Sequence, residues 1–266
     1  MDGRRIKALF FDIDGTLIGL KSHQLNETDV ASLAALKEKG YLLFIATGRD
    51  FCIPEEVIQL DPVMPYLTGY VDVNGQHCAL TDGTEISSHP LADEDFIPLR
   101  EVCEKEHFSM LYRAGNSNYI TEMTDRVKRY WVWMGINAPD VRPMDAGLHD
   151  MPKICIHCSP EEETEFLTPL MKHTWTARIT PDLIDLIPEG IGKDSGILEI
   201  CSHFGIGIEE TMGFGDGQND LCMLNRVGIA VAMSNADENV KAAADFVTAT
   251  TEEAGITTAL RHYGLI

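Results

Sequence analysis

Two aspartates one residue apart, Asp12 and Asp14, close the apolar run Ala8–Phe11 in "ALFFDIDGTLIG". Like charges that close repel, and a half-buried carboxylate is costly without a partner. The pair therefore implies a cation, a held proton or an exposed turn. A third acid, Asp216 in "GFGDGQND", also follows an apolar run. Three acids at one sheet edge are reconciled by a hard cation with oxygen ligands, and Mg2+ is the ion expected. An EF-hand loop is excluded, because Gly15 comes too early and the later ligands are missing.

Donors stand opposite the acids. Thr47 and Gly48 in "ATGR" offer a hydroxyl and backbone N–H groups to phosphate oxygens. Lys193 opens a helix that begins near Asp194, so an anion there gains both the ammonium and the helix N-terminus. Asn219 opens another helix with an amide donor. Cation, lysine and helix ends together describe a phosphoryl site. Singly, each has a plainer reading: D-x-D is a common turn, and a lone lysine is usually solvated. Their convergence carries the site.

That convergence needs elements to produce it. "KALFFD", "YLLFIATGR" and "GYVDVNG" read as buried strands, and "NETDVASLAALKEKG" as a helix ended by Gly40. Near the C-terminus, "TMGFGDG", "IAVAM" and "DFVT" read as strands between the helices "DSGILEICSHFG", "NDLCMLNRVG" and "ADENVKAAA". Such alternation predicts an α/β fold, a doubly wound parallel sheet with a Rossmann-like core. In such sheets ligands bind beyond the carboxyl ends of the strands, where "DIDGT", "TGR" and "GDGQND" fall. The middle third differs. "SMLYRAG", "PKICIHCS", "WTARIT" and "DLIDLIP" read as strands of an antiparallel sheet with one wet face, beside the helices "FIPLREVCEKEHF" and "TDRVKRYWVWMG". The expected organisation is a core over 1–84 and 188–266, with an α/β cap inserted over 85–187.

Composition narrows the partners. The 266 residues carry a net charge of −21, from 21 basic and 42 acidic residues, which argues against nucleic acid and anionic membranes. No stretch is apolar for long enough to span a bilayer, and the run after "MDGRRIK" is too short for a signal peptide. Seven cysteines, an odd number without framework spacing, imply reduced thiols and a cytoplasmic protein. Cys155 and Cys158 have C-x-x-C spacing, but strand alternation turns them to opposite sides and no second pair completes a zinc site. His157 reads as structural, Trp131 and Trp133 as packing, and Arg49 as a brace for a nearby acid. Arg113, Asn116, Asn118 and Tyr119 form a polar stretch that reads equally as an exposed turn or as part of a site.

"FFDIDGTL", "ATGR", "GIGKDSGI" and "GFGDGQNDLCMLNRVGIAVAMSNA" resemble, in order, the four motifs of the haloacid-dehalogenase-like phosphatases. The nearest branch is the Cof-type sugar-phosphate phosphatases, which carry an α/β cap between the second and third motifs. "AMSNA" has serine where that branch often has glycine. The resemblance covers nearly the whole chain, the cap only in length and pattern. It implies that Asp12 is the nucleophile, and that Asp14 is the acid for the departing oxygen and then the base for water. It further implies that the Asp12 carboxylate, the Asp14 carbonyl and the Asp216 carboxylate hold Mg2+. Thr47, Gly48, Lys193 and Asn219 would hold phosphate, and Asp220 would orient Lys193 or a metal-bound water. Asp14 must carry a proton in the first step, which burial and neighbouring acids would favour.

The expected activity is Mg2+-dependent hydrolysis of a small phosphorylated metabolite, a sugar phosphate foremost. A phosphosugar mutase using the same two aspartates and a non-catalytic phosphosugar sensor are the alternatives. A dinucleotide site at "GFGDG" is disfavoured, since the spacing is not G-x-G-x-x-G and Asp216 would repel a pyrophosphate. Nothing in the motifs indicates an oligomeric state.

Overall fold

The computed structural model describes residues 6–115, 117–134, 137–145 and 151–266. In chain order the strands are β1 (Ala8–Phe11), β2 (Leu42–Ala46), β3 (Gly69–Asp72), β4 (His77–Leu80), β5 (Glu85–Ser88), β6 (Met110–Ala114) and β7 (Ser117–Ile120). They continue as β8 (Asp140–Val141), β9 (Ile154–Ile156), β10 (Thr174–Thr180), β11 (Leu183–Pro188), β12 (Thr211–Gly215), β13 (Ile229–Ala232) and β14 (Phe246–Val247). The chain divides into two compact units: Met1–Phe51, Glu56–Ser87 and Gly192–Ile266 in one, Cys52–Glu55 and Ser88–Ile191 in the other.

The first unit holds an eight-stranded sheet in the order β14-β13-β12-β1-β2-β3-β4-β5. Strands β14 through β3 pair in parallel, and β4 turns back antiparallel to β3. The chain winds outward from β1 to β3, then returns to the other side of β1 with β12. The winding direction therefore reverses between β1 and β12, and a crevice opens beyond their carboxyl ends. Both faces of the central strands are covered, so β1, β2 and β13 are apolar throughout. Adjacent phenylalanines on β1 point to opposite faces: Phe11 stacks on Phe214 at 4.9 Å, and Phe10 on Phe44 at 5.1 Å. The face with Phe11 takes Leu33 and Leu36 of the Glu27–Glu38 helix and Ile256 and Leu260 of the Gly255–His262 helix. The face with Phe10 takes Ile197 and Ile200 of the Lys193–Phe204 helix.

Some elements differ from expectation. The helix expected over "NDLCMLNRVG" is only Leu221–Leu224, preceded by a 3-10 turn at Gln218–Asp220. Strands β4 and β5 and the Gly255–His262 helix went unanticipated. The β5 residues "EISS" are only partly buried and show no apolar alternation to read.

The second unit holds a six-stranded sheet, β10-β11-β9-β6-β7-β8, whose pairs are antiparallel except β7 with β8. Its second face is not wet. Phe96, Leu99 and Cys103 of the Asp93–Glu106 helix cover one face, with Met110, Tyr112, Ile154 and Ile156. Val127 and Trp131 of the Asp125–Met134 helix cover the other, with Leu111, Ile120, Cys155 and Leu183. Asp185, within β11, is consequently buried and accepts from Cys155 Sγ at 2.9 Å. Arg113 and Asn118 face each other across β6 and β7 instead of occupying a turn, and Arg113 is buried. Asn116 and the Trp133 side chain lie outside the described residues. None of the seven cysteines is in a disulfide. No helix among the described residues is long and apolar enough to cross a membrane.

Candidate active site

Asp12 immediately follows β1, and its N–H donates to Phe214 O at 3.0 Å, which continues the β1–β12 ladder. Its side chain is buried, and Oδ1 accepts from Lys193 Nζ at 2.6 Å. Lys193 starts its helix and is itself 1% exposed, and the same ammonium donates to Asp220 Oδ1 at 2.5 Å. Asp220 Oδ2 accepts from the backbone of Asp216 and Gly217, each at 2.9 Å. Asp220 is thereby committed to the lysine and the turn after β12. Gly215 admits it, since a Cβ there would lie 2.6 Å from Asp220 Cβ.

Asp216 is oriented from both sides. Thr16 Oγ1 donates to its Oδ1 at 3.1 Å, and Asn235 Nδ2 to its Oδ2 at 2.8 Å. Asn235 Nδ2 also reaches Gly15 O at 3.0 Å, and Thr251 Oγ1 donates to Gly15 O and Thr16 O. Gly15 has φ +84°, and a Cβ would fall 2.0 Å from Asp216 Oδ2, so a side chain there would be strained and would push the Asp216 carboxylate aside. In the sequence, Thr16 of "DIDGT" and Asn235 of "AMSNA" carry no mark of this role. Their small polar side chains read as ordinary turn chemistry.

Among the described residues, Asp12, Asp216 and Asp220 each bring a carboxylate oxygen within 4.8 Å of the others. With all three ionised, the one ammonium of Lys193, paired with Asp12 and Asp220, would leave a formal deficit of two positive charges. Burial, with Asp220 nearby, pushes the Asp12 carboxyl well above its ordinary range despite Lys193. Burial and then Asp220 raise Asp216 to about 6. Burial alone would lower Lys193, but Asp12 and Asp220 outweigh it and hold the ammonium charged.

Asp14 departs from expectation. Its side chain is 57% exposed, and it pairs with Arg49 through Nη2–Oδ1 at 2.5 Å and Nε–Oδ2 at 2.9 Å. The expected burial is absent: β1 ends at Phe11, and Asp14 lies in the turn segment beyond it with its side chain turned out to Arg49. Arg49 is fixed behind by Glu56 O. Thr47, at the exit of β2, is buried, and its N–H donates to Val71 O at 2.9 Å. Gly48 lies against Asn74, whose Oδ1 accepts from Asn219 Nδ2 at 3.4 Å.

The model of the family described as haloacid dehalogenase-like hydrolase matches residues 9–260. A solved structure of the HAD subclass IIB sugar phosphatase BT4131 is 35% identical, covers 98% of this chain and 100% of its own, and gives a TM-score of 0.85. The phosphatase BT1666 from Bacteroides thetaiotaomicron is 28% identical over 100% of this chain and 97% of its own, with a TM-score of 0.88. The 5-amino-6-(5-phospho-D-ribitylamino)uracil phosphatase YcsE of Bacillus subtilis is 24% identical across 98% of this chain and 96% of its own.

Proposed function

The chain belongs to the haloacid dehalogenase-like hydrolases, in their Cof-type branch, and from that premise we propose a Mg2+-dependent phosphatase of small sugar phosphates that works through an aspartyl-phosphate on Asp12. The observation that carries this reading is the Asp12–Lys193–Asp220 triad beside Asp216 at one sheet edge. The donor set fits the cation: hard oxygen ligands, and a charge deficit equal to that of a divalent ion. Asp12 and Asp216 would hold it with the backbone carbonyl of Asp14. Bound there, Mg2+ neutralises charge on the phosphate oxygens.

The chain's own groups then divide the work. Lys193, Thr47, Gly48 and Asn219 hold the phosphate, and Lys193 offsets the repulsion between Asp12 and a dianion. An Asp12 oxygen attacks phosphorus as the bond to the sugar oxygen breaks, and Asp14 gives that oxygen its proton. Asp14 then takes a proton from water, whose oxygen attacks phosphorus and releases Asp12 and orthophosphate. Asp14 must leave Arg49 to do so. The sugar phosphatase at 35% identity supports the substrate class. The second unit, which joins the sheet elements at Ser88 and Ile191, is proposed as the element that selects among substrates. Reduced cysteines fit a cytoplasmic setting.

The test is phosphate release from a panel of hexose and pentose phosphates, with and without EDTA. Metal-dependent release is expected for several of them, with recovery of free sugar; recovery of a sugar phosphorylated at another position would instead identify a mutase. Asp14→Asn is expected to lower kcat about 10²–10⁴-fold. Full turnover by Asp12→Asn would refute the covalent step.

A further inference from the structure

We infer that the turn Val73–Asn74–Gly75 is a positioning device for the phosphate-holding groups, with Asn74 setting Gly48 and Asn219; this rests on the phosphatase reading above. Three successive residues there adopt positive φ: +49° at Val73, +55° at Asn74 and +92° at Gly75. Asn-Gly alone would be ordinary in a tight hairpin. A β-branched valine in that region is not, and such strain persists only where the surroundings over-determine it.

The surroundings are the phosphate-holding segments. Val73 N donates to Arg49 O at 3.0 Å and Asn74 N to Thr47 O at 2.9 Å, so the turn grips the backbone on either side of Gly48. The Asn74 side chain is 5% exposed and lies flat against Gly48, where a Cβ would come 3.1 Å from Oδ1 and 3.2 Å from Nδ2. Its Oδ1 also accepts from Asn219 Nδ2 at 3.4 Å. At Gly75 a Cβ would fall 2.0 Å from Gly192 O, the residue before Lys193. The base of the hairpin is anchored as well: Asp72 Oδ2 accepts from Phe51 N at 3.0 Å, and Asp72 Oδ1 meets His77 Nδ1 at 2.6 Å. One strained turn thus touches three segments that come from distant parts of the chain: Thr47–Gly48, Gly192–Lys193 and Asn219. Asn74 acts through Gly48 and Asn219, so it is a positioning residue.

The test compares the parent with Asn74→Gly in the presence of Mg2+. Glycine keeps the left-handed backbone and both backbone bonds but removes the amide. Orthophosphate binding by calorimetry, hydrolysis of p-nitrophenyl phosphate and the thermal midpoint are read together. Orthophosphate Kd and the KM are expected to rise about tenfold, as Gly48 and Asn219 lose the support that aims them at the phosphate, with the midpoint unchanged. Combining Asn74→Gly with Asn219→Ala is expected to cost less than the two separate losses added together. Parent-like Kd and KM in Asn74→Gly, or a lowered midpoint with parent-like Kd, would overturn the inference. Should Asn74→Gly not fold, Asn74→Ala decides: it removes the same amide without adding charge, so the orthophosphate Kd should again rise about tenfold, and parent-like binding overturns the inference. A parent that binds orthophosphate without turnover refutes the phosphatase reading alone, and one that binds none refutes both.

Discussion

Lys193 is the residue whose removal should expose the site's charge balance most clearly. It is buried between Asp12 and Asp220, and each carboxylate relies on it in the absence of a cation. Lys193→Met leaves buried charge uncompensated, so urea unfolding in EDTA should show a loss of about 3–5 kcal/mol. Turnover should fall to background, because no remaining group offsets the approach of a dianion to Asp12. Mg2+ should restore part of the stability but none of the turnover. At this scale the sequence was informative wherever a charged group ended an apolar run, as at Asp12 and Asp216, because burial makes such a charge expensive without a purpose. It was silent on Asn74, Thr16 and Asn235, which act through contacts between segments far apart in the chain.

At the scale of elements, long apolar runs and capped helices were legible, since burial on both faces writes itself into β1 and β2. Short, partly exposed pieces such as β5 were not, because pairing to a neighbouring strand gave them their form. The end of β9 carries a testable consequence. His157 follows it, 1% exposed, with its ring edge-on to Tyr130 at 5.5 Å. Burial, with the Arg126 guanidinium second, lowers its pKa from 6.5 to about 4. The unfolded chain therefore binds this proton first as pH falls. Stability present above pH 6.5 should be lost progressively down to about 4, by roughly 3 kcal/mol at most. Thermal midpoints of His157→Phe across that range should lack this part of the acid slope; an identical slope would show that His157 does not contribute.

For the whole molecule, strand–helix alternation conveyed a doubly wound sheet, but the extension by β4 and β5 and the coverage of both faces of the second sheet required the tertiary structure. The net charge of −21 sets an expectation of its own. A dianionic substrate approaches against the global field, and salt screens that field with a Debye length of about 10 Å at 0.1 M. kcat/KM for a sugar phosphate should therefore rise with ionic strength at fixed Mg2+, by severalfold between low and physiological salt. A fall over that range would mean that the field at the site itself, and not the global charge, governs the approach.

The covalent role of Asp12 can be observed directly. The enzyme is quenched during turnover of a sugar phosphate with Mg2+, reduced with borohydride and digested, and the peptide holding Asp12 is sequenced by mass spectrometry. An aspartyl-phosphate at position 12 would be read as homoserine there, formed only when substrate and Mg2+ are both present. Rapid turnover with Asp12 unmodified, or homoserine at Asp14 or Asp216 instead, would contradict the account.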